Sequence, residues 1–291
     1  MESLKLKFWG TRGIISSARK STNIFGGNTT CLQVLHDNHL IIVDTGFGVA
    51  LLGEELMKLI LEKKEKLTIH IFFTHFHWDH IQGLAFFHPI YFPSTKLHLY
   101  APMTRKFIWE SLDILFDGSY SPFAGIDSMP CNIEIHELTG PINIDKIEVR
   151  FIPVDHHIKG NEKTESLTYA YKFKAGPHSI VFAPDHEGRD SSINGRFVEF
   201  SEGVEILVHD AQFMENDAVT TGLGHSTVNQ ALRNALKARA QLTLLTHHDP
   251  KRDDNEILKV TRDLRKSTEF KSVRFEYARE GVIYDPALSG K

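Results

Sequence analysis

Four apolar, strand-like segments are each followed within two residues by histidine or aspartate, and this pattern constrains the fold more than any other feature. The segments are residues 67–73, 147–154, 179–183 and 242–245. In open α/β sheets, binding sites form beyond the carboxyl ends of the strands, because side chains from several strands meet there. The sequence therefore predicts an α/β protein in which these strand ends converge on one site.

The densest group of candidate ligands is the sequence THFHWDH at residues 74–80. His75 and His77 alternate, so both side chains can point to the same side of the chain. Asp79 and His80 follow in the turn and can face a second ion close by. Imidazole nitrogen together with carboxylate oxygen suits zinc, and also manganese or iron. This segment predicts a metal site that needs further ligands from elsewhere in the chain.

Three later segments can supply those ligands, namely residues 155–157, 185–187 and 247–249. Each places a ligand-type residue just past an apolar strand. Two of them contain adjacent histidines that would compete for one position. The residues alone therefore leave open the choice between His156 and His157, and between His247 and His248.

The order of predicted elements indicates how these segments are arranged. Runs of strands followed by helices occur twice, with helices predicted at residues 49–62, 226–240 and 254–266. This order predicts two similar halves packed as one four-layer αββα sandwich, a single domain spanning residues 1–291. Residues 88–130 are less regular and rich in aromatic side chains. We interpret them as a lid, a dimer interface that would make a homodimer, or part of the core.

Composition excludes several functional classes. The net charge of −4 offers no basic surface, so DNA is not expected as a partner and RNA is disfavoured. The two cysteines, Cys31 and Cys131, do not suggest a disulfide framework, and a reduced cytoplasm fits better. No stretch has the apolar length of a signal peptide core or a membrane span. We therefore expect a cytoplasmic protein that does not contact membranes.

The sequence resembles the metallo-β-lactamase superfamily, and within it the branch of ribonuclease Z and phosphoribosyl cyclic-phosphate phosphodiesterase. Besides the histidine cluster, the resemblance is carried by residues 8–13, 26–30, 42–46 and 224–227. It covers nearly the whole chain. The resemblance implies the αββα fold and a hydrolase with two divalent metal ions, zinc first, with manganese or iron as alternatives.

The resemblance also implies a role for each ligand, and it favours His156 and His247 from their pairs. One ion would be held by His75, His77 and His156, and the other by Asp79, His80 and His247. Asp185 would bridge the two ions. Asp44 would orient the ligands through hydrogen bonds.

Further residues are predicted to face the substrate. The resemblance implies that His225 faces the scissile phosphate. If Ser226 is the N-cap of the next helix, His225 lies near a helix end that favours phosphate. Asn28 and Thr29 lie in a glycine-rich turn whose backbone N–H groups could bind a phosphate, although a plain tight turn explains them nearly as well.

The remaining histidines have no convergent partners in the sequence. We favour a structural role for the pair His209-Asp210, with orientation of a metal ligand or catalytic residue as the alternative. The other eight are interpreted as surface or satisfied core residues: His36, His39, His70, His88, His98, His136, His178 and His186.

The predicted function is a metal-dependent phosphodiesterase that uses Asp79 and His225 in catalysis and a hydroxide bridging the two metals. Its expected substrate is a small nucleotide or ribose phosphodiester, cyclic forms included, whose base could stack on the aromatic segment. The short span between His156 and Asp185 shows no glycine-rich arm, which argues against tRNA. The alternatives are a ribonuclease Z-like endonuclease, a thioesterase, lactonase or β-lactamase on the same scaffold, and a sensor without enzymatic activity.

Overall fold

The computed structural model describes residues 4–119, 121, 123–156, 168–217 and 220–286. It contains two mixed sheets, and the first is formed mainly by strands from the amino-terminal half of the protein. Its strands are β1 (Lys5–Gly10), β2 (Cys31–His36), β3 (His39–Val43), β4 (Leu67–Phe72), β5 (Thr95–Ala101), β6 (Asn132–Glu137) and β14 (Ile283–Tyr284). They lie in the order β14-β1-β2-β3-β4-β5-β6. Strands β3 to β6 are parallel, so their carboxyl ends share one edge.

The second sheet is built from the later part of the chain. Its strands are β7 (Ile142–Ile144), β8 (Ile147–Val154), β9 (Thr168–Ala175), β10 (His178–Ala183), β11 (Ile206–Asp210), β12 (Leu242–Thr246) and β13 (Phe275–Tyr277). They lie in the order β13-β12-β11-β10-β9-β8-β7. Here β10 to β13 are parallel, so the ends of β10, β11 and β12 also meet at one edge.

The two sheets pack face to face over one apolar layer. Alternation in β1 turns Leu6 and Phe8 inward, and the second sheet contributes Phe173, Phe182 and Val208 to the same cluster. These side chains are at most 1% exposed. Burying a side chain of this size contributes about 1.5–3 kcal/mol, so this layer fixes the two sheets against each other.

Helices cover the outer face of each sheet. They are α1 (Val49–Lys63), α2 (Trp78–Ile81), α3 (Arg105–Asp113), α4 (Ser192–Phe200), α5 (Val228–Ala238) and α6 (Asp254–Arg265). In α1, Val49, Leu52 and Leu56 recur at helical spacing and pack against the first sheet. Helices α4, α5 and α6 contact the second sheet. The predicted four-layer αββα sandwich is therefore confirmed, and no helix in the described ranges is long and apolar enough to cross a membrane.

The segment 88–130 contains more regular structure than the sequence analysis recognised. Strand β5 lies inside it and pairs with both β4 and β6. Helix α3 follows, with Ile108 and Leu112 fully buried. The alternation of Leu97 and Leu99 with polar residues was the available signal for β5. The interpretation of this segment as a lid or a dimer interface stays a prediction.

Candidate metal centre

The loop after β4 places four candidate ligands at the edge of the first sheet. The chain leaves β4 through Phe73 and Thr74 and then turns into the short helix α2. His77 is the extended residue before that helix, and Asp79 and His80 lie within it. His75 and His80 are fully buried, and Asp79 is 8% exposed. The loop thus delivers imidazole and carboxylate groups into an enclosed space.

The ends of three strands in the second sheet point into the same space. His156 follows β8, Asp185 follows β10 and His247 follows β12, and all three are buried. His248 turns away, because its Nε2 atom contacts the carbonyl oxygen of Ala278 at 3.0 Å. His156 lies in the cluster, whereas His157 lies outside the described residues.

Asp185 lies at the centre of the cluster. Its Oδ1 atom is 3.1 Å from His80 Nε2. Its Oδ2 atom is 3.4 Å from His247 Nε2, 3.5 Å from His156 Nε2 and 3.8 Å from His75 Nε2. One carboxylate therefore contacts imidazoles from both sheets, which is the position required of a residue that bridges two ions.

Two further groupings flank Asp185. On one side, Asp79 Oδ2 lies 3.3 Å from His247 Nε2 and 3.4 Å from His80 Nε2. On the other side, His77 Nδ1 lies 3.1 Å from His156 Nε2. Two atoms that each lie about 2.1 Å from one zinc ion are about 3.0–3.4 Å apart, so both groupings match shared ligation. The structure thus brings together the seven residues predicted as ligands, although their role in binding metal stays a prediction.

The hydrogen-bonding state of these atoms fits a cation. Four of them are buried without any hydrogen-bond partner: His75 Nε2, His80 Nε2, Asp185 Oδ1 and His247 Nε2. Leaving buried polar atoms unsatisfied costs about 1–3 kcal/mol each, so a cluster of them requires an explanation. Two divalent cations, one at each grouping, would satisfy all four, because nitrogen and carboxylate oxygen are the donors that zinc accepts.

Hydrogen bonds on the far side of each ring aim the ligand atoms inward. Four imidazoles use Nδ1 for this contact, and the partners are Thr74 Oγ1 for His75, Asp44 Oδ2 for His80, the Gly224 carbonyl for His156 and Gln212 Oε1 for His247. Such contacts fix the orientation and tautomer of a metal-binding histidine. Gln212 was not predicted, although it follows the His209-Asp210 pair that the sequence analysis noted.

Asp44 occupies the position expected of an orienting carboxylate. It is fully buried and accepts hydrogen bonds from the Thr74 amide and hydroxyl groups. Burial raises its pKa, while the neighbouring His80 and Thr74 oppose that shift. Its φ of 59° lies in the left-handed region, which non-glycine residues enter at a cost and mostly at functional sites.

Burial lowers the pKa of three predicted ligands, whereas at a fourth, His80, neighbouring carboxylates outweigh burial and raise the pKa. Burial lowers the pKa of His75 and His77, and it lowers the pKa of His156 to about 3. These three imidazoles are therefore neutral near pH 7, the form that binds a metal. Burial opposes ionisation of Asp185, but the surrounding imidazoles hold its pKa well below the usual range.

His225 lies beside the cluster and has a different electrostatic state. Its Nδ1 atom is 2.6 Å from Asp210 Oδ2 and 3.9 Å from Asp185 Oδ2. Burial lowers the pKa of His225, but the charge and hydrogen bond of Asp210 outweigh it and raise the pKa to about 9. His225 is therefore a protonated donor at neutral pH. This contact matches the alternative in which Asp210 orients a functional residue, rather than the favoured structural role.

The predicted substrate-binding residues make contacts within the protein. Asn28 donates its backbone and side-chain N–H groups to Glu280. Thr29 Oγ1 accepts the amide of Phe47 and is fully buried. These contacts favour the tight-turn explanation, and a role of either residue in substrate binding stays a prediction.

Ser226 is not the helix N-cap that the sequence analysis expected. Its hydroxyl donates to the carbonyl of His186 and accepts from the Gly188 amide. The N-cap of α5 is Thr227, which forms a reciprocal capping box with Gln230. The helix therefore begins one residue later than predicted. Ser226 instead uses its hydroxyl to connect its own loop to the loop that contains His186 and Gly188.

Two further residues shape the site without having been predicted. Glu187 is fully buried and accepts the amides of Gly222 and Gly224, which fixes the loop that carries His225. Gly13 lies so close to His247 that an added Cβ atom would be 2.1 Å from the ring. Neither role has a local sequence signal, since each depends on a contact between distant segments.

Comparisons with known proteins agree with this geometry. A family model described as the beta-lactamase superfamily domain matches residues 39–248. Ribonuclease Z of Thermococcus sibiricus is 24% identical over 327 residues, covering 97% of this chain and 98% of that protein.

Two solved structures are also similar across almost the whole chain. The metallo-β-lactamase fold protein YhfI of Bacillus subtilis has a TM-score of 0.67 at 18% identity, covering 98% of this chain and 100% of that one. A diphosphatase of the PhnP family has a TM-score of 0.64 at 20% identity, covering 97% of both chains. With the sandwich and its converging strand ends, these matches show that the chain belongs to the metallo-β-lactamase superfamily of hydrolases, in its ribonuclease Z-like branch.

Proposed function

We propose that this protein hydrolyses a small phosphodiester with the aid of two divalent metal ions. The observation that carries the proposal is a buried cluster of unsatisfied metal ligands with a histidine beside it, His225, whose Nδ1 atom is held by the Asp210 carboxylate. The metal ions held by this cluster would bind the phosphoryl group of the substrate. His225 would donate a hydrogen bond or a proton to one of the oxygens on that group. This combination suits a substrate that is an anion before and during the reaction.

Seven residues would hold the two ions. His75, His77 and His156 surround one position, Asp79, His80 and His247 surround the other, and Asp185 lies between them. Zinc suits this mixture of donors, with manganese or iron as alternatives. When bound, the ions would supply Lewis acidity toward the phosphoryl group and a water molecule of lowered pKa.

His225 would contribute the proton. Its Nδ1 atom is held by Asp210, so Nε2 is the nitrogen left for the substrate. The His225 side chain is 11% exposed, which gives a substrate access to the ring. In its charged form, His225 would donate a hydrogen bond to a phosphoryl oxygen or protonate the leaving alkoxide. Asp210 stabilises the charged form and prevents the ring from rotating.

An aromatic-lined cavity supports a substrate that carries a base. The cavity has a volume of about 380 Å³, and one of its lining residues is Trp78, which stands between the predicted ligands His77 and Asp79 in the sequence. Phe86, Tyr91 and Phe123 also line it. Stacking of a base on aromatic rings contributes about 1–3 kcal/mol, which is enough to select a nucleotide over a smaller diester.

A substrate panel tests the proposed reaction. Bis-p-nitrophenyl phosphate and cyclic nucleotides should be hydrolysed by zinc-loaded or manganese-loaded protein, whereas thioesters and lactones should not. His225→Ala should lower phosphodiester turnover by about 10²- to 10³-fold while the metal content stays unchanged. His178→Ala is the matched control, because His178 is a partly exposed histidine paired with Glu205 on the second sheet. Faster turnover of a thioester or lactone would assign the protein to the other hydrolase class.

An RNA endonuclease of the ribonuclease Z type is the second candidate, because the ribonuclease Z relative matches this chain over nearly its whole length. The net charge of −4 favours the small substrate, since binding of tRNA relies on neutralising many phosphates. Incubation with a precursor tRNA decides between them. Cleavage at the 3′ trailer at rates above those for cyclic nucleotides would favour the endonuclease.

A further inference from the structure

A second group of ligand-type side chains lies on the first sheet and shares no residue with the candidate metal centre. It consists of His98 on β5 with Glu134 and His136 on β6. Parallel pairing places His98 opposite Glu134, and alternation along β6 brings His136 to the same face. The sequence analysis interpreted both histidines as ordinary surface or core residues, because their proximity depends on the pairing of two strands.

The three ligand atoms are spaced as they would be around one ion. His98 Nδ1 is 2.9 Å from His136 Nε2 and 3.3 Å from Glu134 Oε2. His136 Nε2 is 3.9 Å from the same carboxylate oxygen. A triangle with these sides has a point about 2.0 Å from all three atoms, which agrees with zinc–nitrogen and zinc–oxygen bond lengths.

Neighbouring rings hold the two histidines in this arrangement. The ring of His70 stacks on that of His98 with centroids 4.9 Å apart, and His70 Nδ1 contacts the Tyr100 hydroxyl at 3.0 Å. The ring of Tyr100 in turn stacks on that of His136 at 4.6 Å. This ring stacking therefore restricts the orientation of both imidazoles, as neighbouring groups do for the ligands of a preformed metal site.

Lys96 forms an ion pair with one of the two oxygens of the Glu134 carboxylate. Its Nζ atom is 2.8 Å from Glu134 Oε1, which leaves Oε2 directed at the histidines. The side chain of Glu134 is 41% exposed and that of His136 is 36% exposed, so an ion could enter from solvent. The ammonium group of Lys96 would reduce the affinity for a cation without occupying a ligand position.

We propose that His98, Glu134 and His136 bind one zinc ion, with its fourth position open to solvent. This ion is additional to the two in the proposed function and takes no part in that reaction. Because β6 is the edge strand of the first sheet, the ion would clamp this edge to β5. An edge strand tied by metal is stabilised against local opening.

Metal counting tests the proposal. Protein stripped with a chelator and dialysed against zinc should hold three ions per chain, and the double variant His98→Gln/His136→Gln should hold two with unchanged hydrolytic activity. His178→Gln is the control, because this histidine lies on the second sheet and pairs with one glutamate, Glu205. Equal zinc content in the wild type and the double variant would overturn the proposal.

The same measurement separates this proposal from the proposed function. Asp185→Asn should lose zinc from the candidate metal centre but keep the zinc that depends on His98 and His136. If wild-type protein held a single ion that the double variant lost, the surface site would stand and the two-metal function would fail.

Lys96→Met provides an independent test that replaces none of the three ligands. Removing the nearby positive charge should tighten zinc binding at this site by about three- to tenfold in a calorimetric titration. If His98, Glu134 and His136 were only hydrogen-bonded to one another, Lys96→Met would leave zinc binding unchanged. That result would overturn the proposal even if the double variant failed to fold.

Discussion

Replacing Asp210 with asparagine should move the pH dependence of activity, because Asp210 keeps His225 protonated. The carboxylate lies 2.6 Å from His225 Nδ1 and raises the pKa of this histidine to about 9. Asparagine has a similar shape but no charge. Without the charge, burial dominates and the pKa of His225 should fall to about 6.5 or lower, a change of at least about 2.5 units.

The size of the effect depends on pH in a defined way. At pH 8, a histidine of pKa about 9 is roughly 90% protonated, whereas one of pKa about 6.5 is roughly 3% protonated. Asp210→Asn should therefore lose about 30-fold in kcat at pH 8 but less than about twofold at pH 6. Bound divalent cations would lower the pKa of His225 in both the wild type and Asp210→Asn. The predicted quantity is therefore the difference in pH between the alkaline limbs of the two activity profiles.

The assay is phosphodiester hydrolysis by metal-loaded protein between pH 5.5 and 9.5, with metal content measured in parallel. Asp254→Asn is the matched control, because Asp254 is also buried and accepts two backbone amides, but it does not contact His225. Its alkaline limb should match that of the wild type. An Asp210→Asn profile that is lowered equally at all pH values would refute the role assigned to the charge of Asp210.

Three further predictions follow from single contacts. Gly13→Ala should weaken metal binding by at least about tenfold, because the added Cβ atom would lie 2.1 Å from the ring of His247. Gly195→Ala should leave metal binding unchanged, because a Cβ atom there meets no other atom within 4 Å. Equilibrium dialysis measures metal binding by both variants. Glu187→Gln should lower the free energy of unfolding in urea by about 1–3 kcal/mol, because one of two buried loop amides loses its acceptor. Burial raises the pKa of Glu280 to about 7 in the folded protein, so the unfolded chain releases this proton first as pH rises. Stability should therefore fall by up to about 3 kcal/mol between pH 4.5 and 7, and a Glu280→Gln variant should lack this slope in denaturation curves recorded across that range.

The convergence of the predicted ligands could be foreseen because each segment that carries them lies just past an apolar strand. Asp185 after β10 and His247 after β12 are examples, since the edge of a parallel sheet brings such residues together whatever the loops do. Outside the segment 88–130, where β5 and α3 were not recognised, strand and helix positions followed from hydrophobic periodicity in the same way. The layered fold was therefore accessible without any knowledge of tertiary contacts.

The residues that hold the ligands in place could not be predicted in this way. Asp210 acts on His225 and Gln212 acts on His247, and each pair is far apart in the sequence. The Ser226 hydroxyl bonds the distant His186 carbonyl instead of capping α5, and a role of Ser226 in substrate binding stays a prediction. Periodicity reports which side of an element is buried, but it carries no information about which polar groups meet there.

The strand order has a consequence for how the protein is made. Strand β14 completes the first sheet by pairing beside β1, with Tyr284 opposite Leu6. During synthesis on a ribosome, the outer edge of β1 therefore stays unpaired until almost the whole described chain has emerged. An open strand edge recruits other nascent chains, so this protein should depend on chaperones late in translation, and fragments that stop before β14 should aggregate.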